Sequence, residues 1–111
     1  MTLQEKTSAI VGALEDRKAE DIRTYDVRGV SGLCDAFVVA TGAAAPHLKA
    51  LLGAARAAMK DAGETPCRTS GDTGTGWGVA DFGDVVVHVF SPEARAYYAI
   101  EKLWPNAPSV V

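Results

Sequence analysis

Only two cysteines occur in the sequence, Cys34 and Cys67. They lack C-x-x-C spacing and are too few for a disulfide framework, so the chain reads as one from a reducing compartment, with the cytoplasm as the expected location. Basic residues are outnumbered as well: 11 Lys and Arg stand against 14 Asp and Glu, a formal charge of −3. A protein that grips nucleic acid through its phosphates needs a basic stripe, so direct binding of RNA or DNA is not expected. No apolar run approaches the ~20 residues of a membrane span. The start Met1-Thr2-Leu3-Gln4-Glu5-Lys6 has neither the apolar core of a signal peptide nor the arginines of a transit peptide. Metal chemistry is unsupported, because Cys34, Cys67, His47 and His88 show no ligand spacing. What remains is a chain of 111 residues, 48% of them apolar. That suffices for one domain burying about two-thirds of its unfolded surface without disulfide or metal.

Periodicity predicts the order α-β-β-α-β-β-β-α, an α/β domain with a mixed sheet of about five strands and three helices. Leu3, Ile10, Val11 and Leu14 mark the first helix, with Thr2 and Glu5 matching a capping box and an end near Arg17 to Glu20. Ile22 to Val27 reads as a strand, Arg28 to Gly32 as a turn and Ala36 to Ala40 as a second strand. Pro46 opens a second helix of about four turns whose inner face is Leu48, Leu51, Leu52, Ala55 and Met59, and Gly63 follows its end. Cys67 to Ser70, a glycine-rich stretch and Val85 to Phe90 form a β-rich half. The last helix has Ser91 as its cap, Pro92 and Glu93 in its first turn, Tyr97, Ile100 and Trp104 on one face, and Pro105 as its stop. Residues 1–104 form the expected domain and 105–111 a loose tail.

Gly83-Asp84 suits a two-residue type II′ hairpin turn, which fixes a register. Phe82 then faces Val85, Asp81 faces Val86, Val79 faces His88 and Trp77 faces Phe90. One side carries Gly78, Ala80, Phe82, Val85, Val87 and Val89, has no polar side chain, and belongs on the core. The other carries Trp77, Val79, Asp81, Val86, His88 and Phe90. Two readings fit that second side: a surface that meets a partner, with aromatic anchors beside polar groups, or a face also covered by a helix, with His88 and Asp81 paired beneath it.

Enzymatic signatures are weak. Gly71, Gly74, Gly76 and Gly78 invite a phosphate-loop reading, and a nucleotide-binding enzyme built on residues 71–78 is the alternative function. The segment leads into a strand rather than a helix and has no Gly-Lys-Ser/Thr. Asp81-Phe82-Gly83 spells a kinase tripeptide in a chain too short to be a kinase. No nucleophile elbow is present, Cys34 reads as a small residue at a strand edge, and His47 as an exposed helix-start histidine. Lys49, Arg56 and Lys60 form the solvated face of the second helix. No catalytic residue and no cofactor are assigned.

The segments Leu33 to Gly42, His47 to Leu51, Trp77 to Phe90, Glu93 to Tyr98 and Leu103-Trp104 together resemble the Iojap-like ribosomal silencing factor S family over nearly the whole chain. The block G-D-V-V-V-H-V-F preceded by W-x-x-x-D is the most specific part. This resemblance implies a non-enzymatic translational repressor, cytoplasmic, that binds the large ribosomal subunit through its ribosomal protein number fourteen and blocks joining with the small subunit. It also implies a nucleotidyltransferase-like core without the catalytic motif, and this chain indeed has no Gly-Ser followed by Asp-x-Asp. The family's partner hairpin, W-x-x-x-D-Y, maps onto Trp77, Asp81 and Phe82, and with alternation the expected partner-binding set is Trp77, Asp81, Phe82, His88 and Phe90. Some relatives are dimers, which makes a homodimer a further implied partner; no membrane contact is implied. The chain departs from the family at Phe82, which replaces tyrosine, at Gly78 and Ala80, which replace bulkier aliphatics, at Ala36, which replaces an aromatic, and at Ala43-Ala44-Ala45-Pro46 before the histidine.

Overall fold

Helix α1, Leu3–Asp16, begins where the sequence places it: Thr2 Oγ1 accepts from the Glu5 amide at 3.1 Å, and Glu5 Oε1 accepts from the Thr2 amide at 2.9 Å. The structure is a computed structural model and describes residues 1–29, 34–64, 68–103 and 108. Strands β1, Glu20–Asp26, and β2, Ala36–Thr41, form an antiparallel pair, irregular between Glu20 and Arg23 where Asp21 takes a positive φ of 47°. Helix α2, Ala45–Asp61, has Pro46 in its first turn and no side-chain cap at Ala44. It ends in a Schellman motif: Gly63 has φ 78°, its amide donates to Lys60 and the Glu64 amide donates to Met59.

Strands β3, Arg68–Asp72, β4, Trp77–Asp81, and β5, Val85–Phe90, complete a five-stranded sheet of order β1-β2-β5-β4-β3. The β2-β5 pair is parallel and the other pairs are antiparallel, so the expected mixed sheet and element order are present. The expected hairpin register holds, with Trp77 opposite Phe90, Val79 opposite His88 and Asp81 opposite Val86. Gly83 has φ 88°, Asp84 is not among the positive-φ residues, and the Phe82 amide donates to the Val85 carbonyl at 2.9 Å, the pattern of a two-residue turn.

Helices α1 and α2 lie on one face of the sheet. Ile10 and Leu14 from α1, and Leu48, Leu51, Leu52, Ala55 and Met59 from α2, pack on Ala36, Val38 and Ala40 of β2 and Val85, Val87 and Val89 of β5. Gly78 lets α2 approach, since a Cβ there would stand 2.8 Å from Leu52 Cδ1. At the turn end of this layer the Lys6 ammonium is buried against Asp84 at 2.5 Å and the Phe82 carbonyl at 3.3 Å, which ties α1 to the hairpin.

The last helix departs from expectation. Helix α3, Pro92–Tyr98, is capped by Ser91, whose Oγ accepts from the Ala94 amide at 3.2 Å, but it stops at Ala99 in the left-handed conformation, and a 3-10 turn, Ile100–Leu103, follows. Tyr97 and Ile100 therefore do not share a face: Tyr97 is 82% exposed, while Ile100 packs against the sheet. The break is held by Arg95, which donates to the Asp21 carbonyl at 2.6 Å, Thr41 Oγ1 at 2.7 Å and Glu101 at 2.8 Å. Val30 to Leu33, Cys67, Trp104 and most of the expected tail lie outside the described residues; Pro108 is described, and its carbonyl accepts from the Asp26 amide at 2.7 Å.

Candidate interaction face

Opposite the helix layer, β4 and β5 present Trp77, Val79, Asp81, Val86, His88 and Phe90, with Phe37 and Val39 of β2 beside them. Neither reading of this face holds over its whole length. Its α3 end is covered: Phe90 is 1% exposed and clusters with Val39 and Ala94, against which Tyr25, Trp77 and Ile100 pack. Towards the turn, Phe37, Val79, Asp81 and Val86 stay half-buried.

Trp77 joins the two zones. Its ring stacks on Phe90 with centroids 5.3 Å apart, lies 4.6 Å from Tyr98, and its Nε1 donates to His88 Nδ1 at 3.2 Å. Residues three and four along a helix share a face, so Tyr98 follows the inward Ala94 onto the sheet. Tyr98 keeps 42% of its surface exposed, and it is the contact-forming residue that the sequence reasoning missed by following Tyr97 instead. The signal was available in the spacing from Ala94.

His88 is 9% exposed, and burial pushes its pKa down from 6.5 to about 4, so the ring is neutral near pH 7. Since Nδ1 accepts from Trp77, the ring proton sits on Nε2. The pairing with Asp81 that belonged to the covered-face reading does not occur: Asp81 Oδ1 accepts from the Gly83 amide at 2.8 Å and stabilises the turn. Phe82 is 5% exposed and belongs to the core under α1 and α2, as its alternation required, so the mapping that put it among the contact residues meets a side chain on the opposite side of the sheet. Phe90 likewise forms the floor of the face and not its surface.

The remaining candidates are structural. Gly76, with φ 90°, abuts α3, where a Cβ would meet Ser91 Oγ at 2.5 Å, and Gly78 abuts α2, so close packing accounts for two glycines of the suspected phosphate loop. His47 Nδ1 accepts from the Ala43 amide at 2.9 Å and Nε2 lies 2.7 Å from the Arg17 carbonyl, joining the start of α2 to the end of α1. Lys49, Arg56 and Lys60 are exposed, and Cys34 is buried. Among the described residues no group of three or more His, Cys, Asp or Glu is placed to hold a metal ion, and no helix is long and apolar enough to cross a membrane. A groove between β1 and α3 is lined by Glu20, Asp21, Thr41, Arg95, Glu101 and Lys102, but the Arg95 nitrogens already donate within the protein.

A mixed sheet with one side sealed by helices and an aromatic cluster partly open on the other defines a small α/β domain with one partly uncovered sheet face. The chain belongs to the family of ribosomal silencing factors: the family profile described as RsfS, ribosomal silencing factor during starvation, matches residues 1–111. It is 36% identical over 110 residues to the ribosomal silencing factor RsfS of Halalkalibacterium halodurans, spanning 99% of this chain and 94% of that protein. A crystal structure of a protein from Chromobacterium violaceum superimposes with a TM-score of 0.90 at 39% identity, covering 95% of this chain and 88% of that one. A mouse protein named for mitochondrial assembly of the ribosomal large subunit is 31% identical over 101 residues, 86% of this chain and 43% of the mouse protein. Family membership places the chain among the regulators of translation.

Proposed function

We propose that this protein docks on the large ribosomal subunit through its ribosomal protein number fourteen and blocks joining with the small subunit by its bulk. The observation that carries the reading is the Trp77 and Tyr98 pair, two large aromatics in contact at 4.6 Å on a rigid sheet and a capped helix, with Tyr98 well exposed. Tryptophan and tyrosine are the residues most enriched at binding hot spots, because a partner that covers them removes much apolar area at little entropic loss. In this reading Trp77 and Tyr98 are the anchors, His88 and Phe90 the floor that holds Trp77, and Asp81 a carboxylate at the rim facing a basic protein. Phe82 acts from the core side by holding β4 in place. Residues 1–104 make up the silencing domain and 105–111 a tail.

Blocking requires no chemistry. A protein of 11.6 kDa on the joining face stops the small subunit sterically, and the role needs no cofactor or catalytic group. The experiment is co-sedimentation of the purified protein with separated subunits in sucrose gradients, followed by reassociation. Co-migration with large subunits alone and a lowered yield of joined ribosomes are expected; equal co-migration with small subunits, or none with large ones, overturns the reading. A homodimer closed through the same face would show a mass that rises with concentration and falls when large subunits are added, which light scattering reads.

A further inference from the structure

Resting on the docking reading above, we propose that His88 donates a hydrogen bond from Nε2 to a neutral carbonyl oxygen of the ribosomal partner, which makes it a specificity-determining residue of the face. Three observations lead there. The Trp77 Nε1 donates to His88 Nδ1 at 3.2 Å, and an imidazole whose Nδ1 accepts carries its proton on Nε2. His88 Nε2 is buried and is the buried side-chain nitrogen or oxygen without a hydrogen-bond partner among the described residues. Native proteins pair nearly all such groups, so an orphaned donor on a sheet face marks a contact completed by something else.

The position suits that role. His88 lies at the middle of β5, flanked by Trp77 and by Phe37 with ring centroids 6.0 and 5.1 Å away. The residue as a whole keeps 9% of its surface exposed while Nε2 itself is buried, and its cross-strand neighbour Val79 is half-buried, so the nitrogen lies under a partly open part of the face. The two nitrogens of an imidazole diverge, so Nε2 looks away from the Trp77 indole. The acceptor is neutral because a carboxylate would meet Asp81, on the same face two residue pairs along the hairpin, and a chain of net charge −3. Trp77 thus acts twice, as an apolar anchor and as the donor that sets the His88 tautomer.

The test has two arms. Nitrogen-15 imidazole spectra of the folded protein near pH 7 report which nitrogen is protonated. A protonated Nε2 is expected, and a protonated Nδ1 overturns the proposal. His88→Phe keeps an aromatic ring and removes the donor; its melting temperature at neutral pH is expected near wild type, because one orphaned donor is removed and the Trp77 Nε1 becomes another. Its affinity for large subunits is expected to fall about tenfold, the size of one lost hydrogen bond that strands a partner acceptor. A folded His88→Phe that binds as tightly as wild type overturns this inference alone, whereas a wild-type protein that does not bind large subunits overturns the docking reading and this one with it. Trp77→Phe, which keeps the ring and drops the indole donor, is expected to mix the two tautomers in the same spectra. An unchanged tautomer in that variant also overturns the proposal, since it removes the role assigned to Trp77.

Discussion

Burial of the His88 ring gives the folded protein a pH dependence of definite sign. The unfolded chain takes up a proton near pH 6.5, while the folded one waits until about 4, so the unfolded state binds more protons between those values. Stability is therefore full above pH 6.5 and is lost as pH falls through that window, by at most about 3 kcal/mol. Denaturant titrations from pH 7 to 4.5 are predicted to show this fall in the wild type and a shallower one in His88→Phe. Trp77 and Val87 offer a second contrast. Val87 is fully buried between sheet and helices, so Val87→Ala is predicted to lower stability by about 2 kcal/mol and leave the affinity of the folded fraction unchanged. Trp77 is half-buried and stacked on Phe90 and Tyr98, so Trp77→Ala loses some stability too. Its larger effect is a loss of about thirtyfold in subunit binding, read by co-sedimentation after correction for the folded fraction. If binding falls only in step with folding, Trp77 is a packing residue and the contact lies elsewhere.

At the scale of elements, two glycines with positive φ separate strain from crowding. At Gly83, φ 88°, an added Cβ meets nothing within 4 Å, and Gly83→Ala is predicted to cost about 1–2 kcal/mol for backbone strain alone. At Gly76, φ 90°, the same methyl would collide with Ser91 Oγ, the cap of α3, so Gly76→Ala is predicted to cost about 3 kcal/mol or more and to loosen that helix. Chemical denaturation of the two variants side by side checks the order. The 3-10 turn after α3 depends on polar contacts instead. Glu101 accepts from Arg95 and from the Tyr25 hydroxyl at 2.6 Å; the Arg95 bond holds its carboxyl below the usual range, while burial and Glu101 push Tyr25 up to about 12. That contact is present above the ordinary carboxylate pKa and lost as pH falls through the depressed one. Glu101→Gln is predicted to speed hydrogen exchange at the Ala99 and Lys102 amides and leave β5 amides unchanged; equal protection at Ala99 would refute it.

For the molecule as a whole, both apolar clusters are built on β2 and β5: one on Val38, Val85, Val87 and Val89 beneath the helices, the other on Val39 and Phe90 beneath α3. Because the same strands carry both, unfolding is predicted to be a single transition, coincident by near-ultraviolet and far-ultraviolet circular dichroism; separate midpoints would show that α3 melts alone. Much of this was legible in the sequence, because it depends on neighbours a few residues apart. The capping box of α1, the glycine end of α2 and the Gly83-Asp84 turn are local, and once that turn is set, alternation decides that Phe82 and Val87 face inward while Trp77 and His88 face the other way. What depended on distant partners was not legible. Whether α3 runs on to Pro105 or breaks at Ala99 is decided by Arg95 reaching Asp21 and Thr41, which are 74 and 54 residues away. Whether His88 pairs with Asp81 or with Trp77 is decided by a diagonal contact and by the stronger local claim of the turn on Asp81. The sequence by itself determined the order of the elements, the faces of the β4-β5 hairpin and of α2, and the family, since hydrophobic period and turn chemistry act over a few bonds. Only the tertiary structure decided how far the second face stays open, because burial is settled by which remote side chains arrive to cover it.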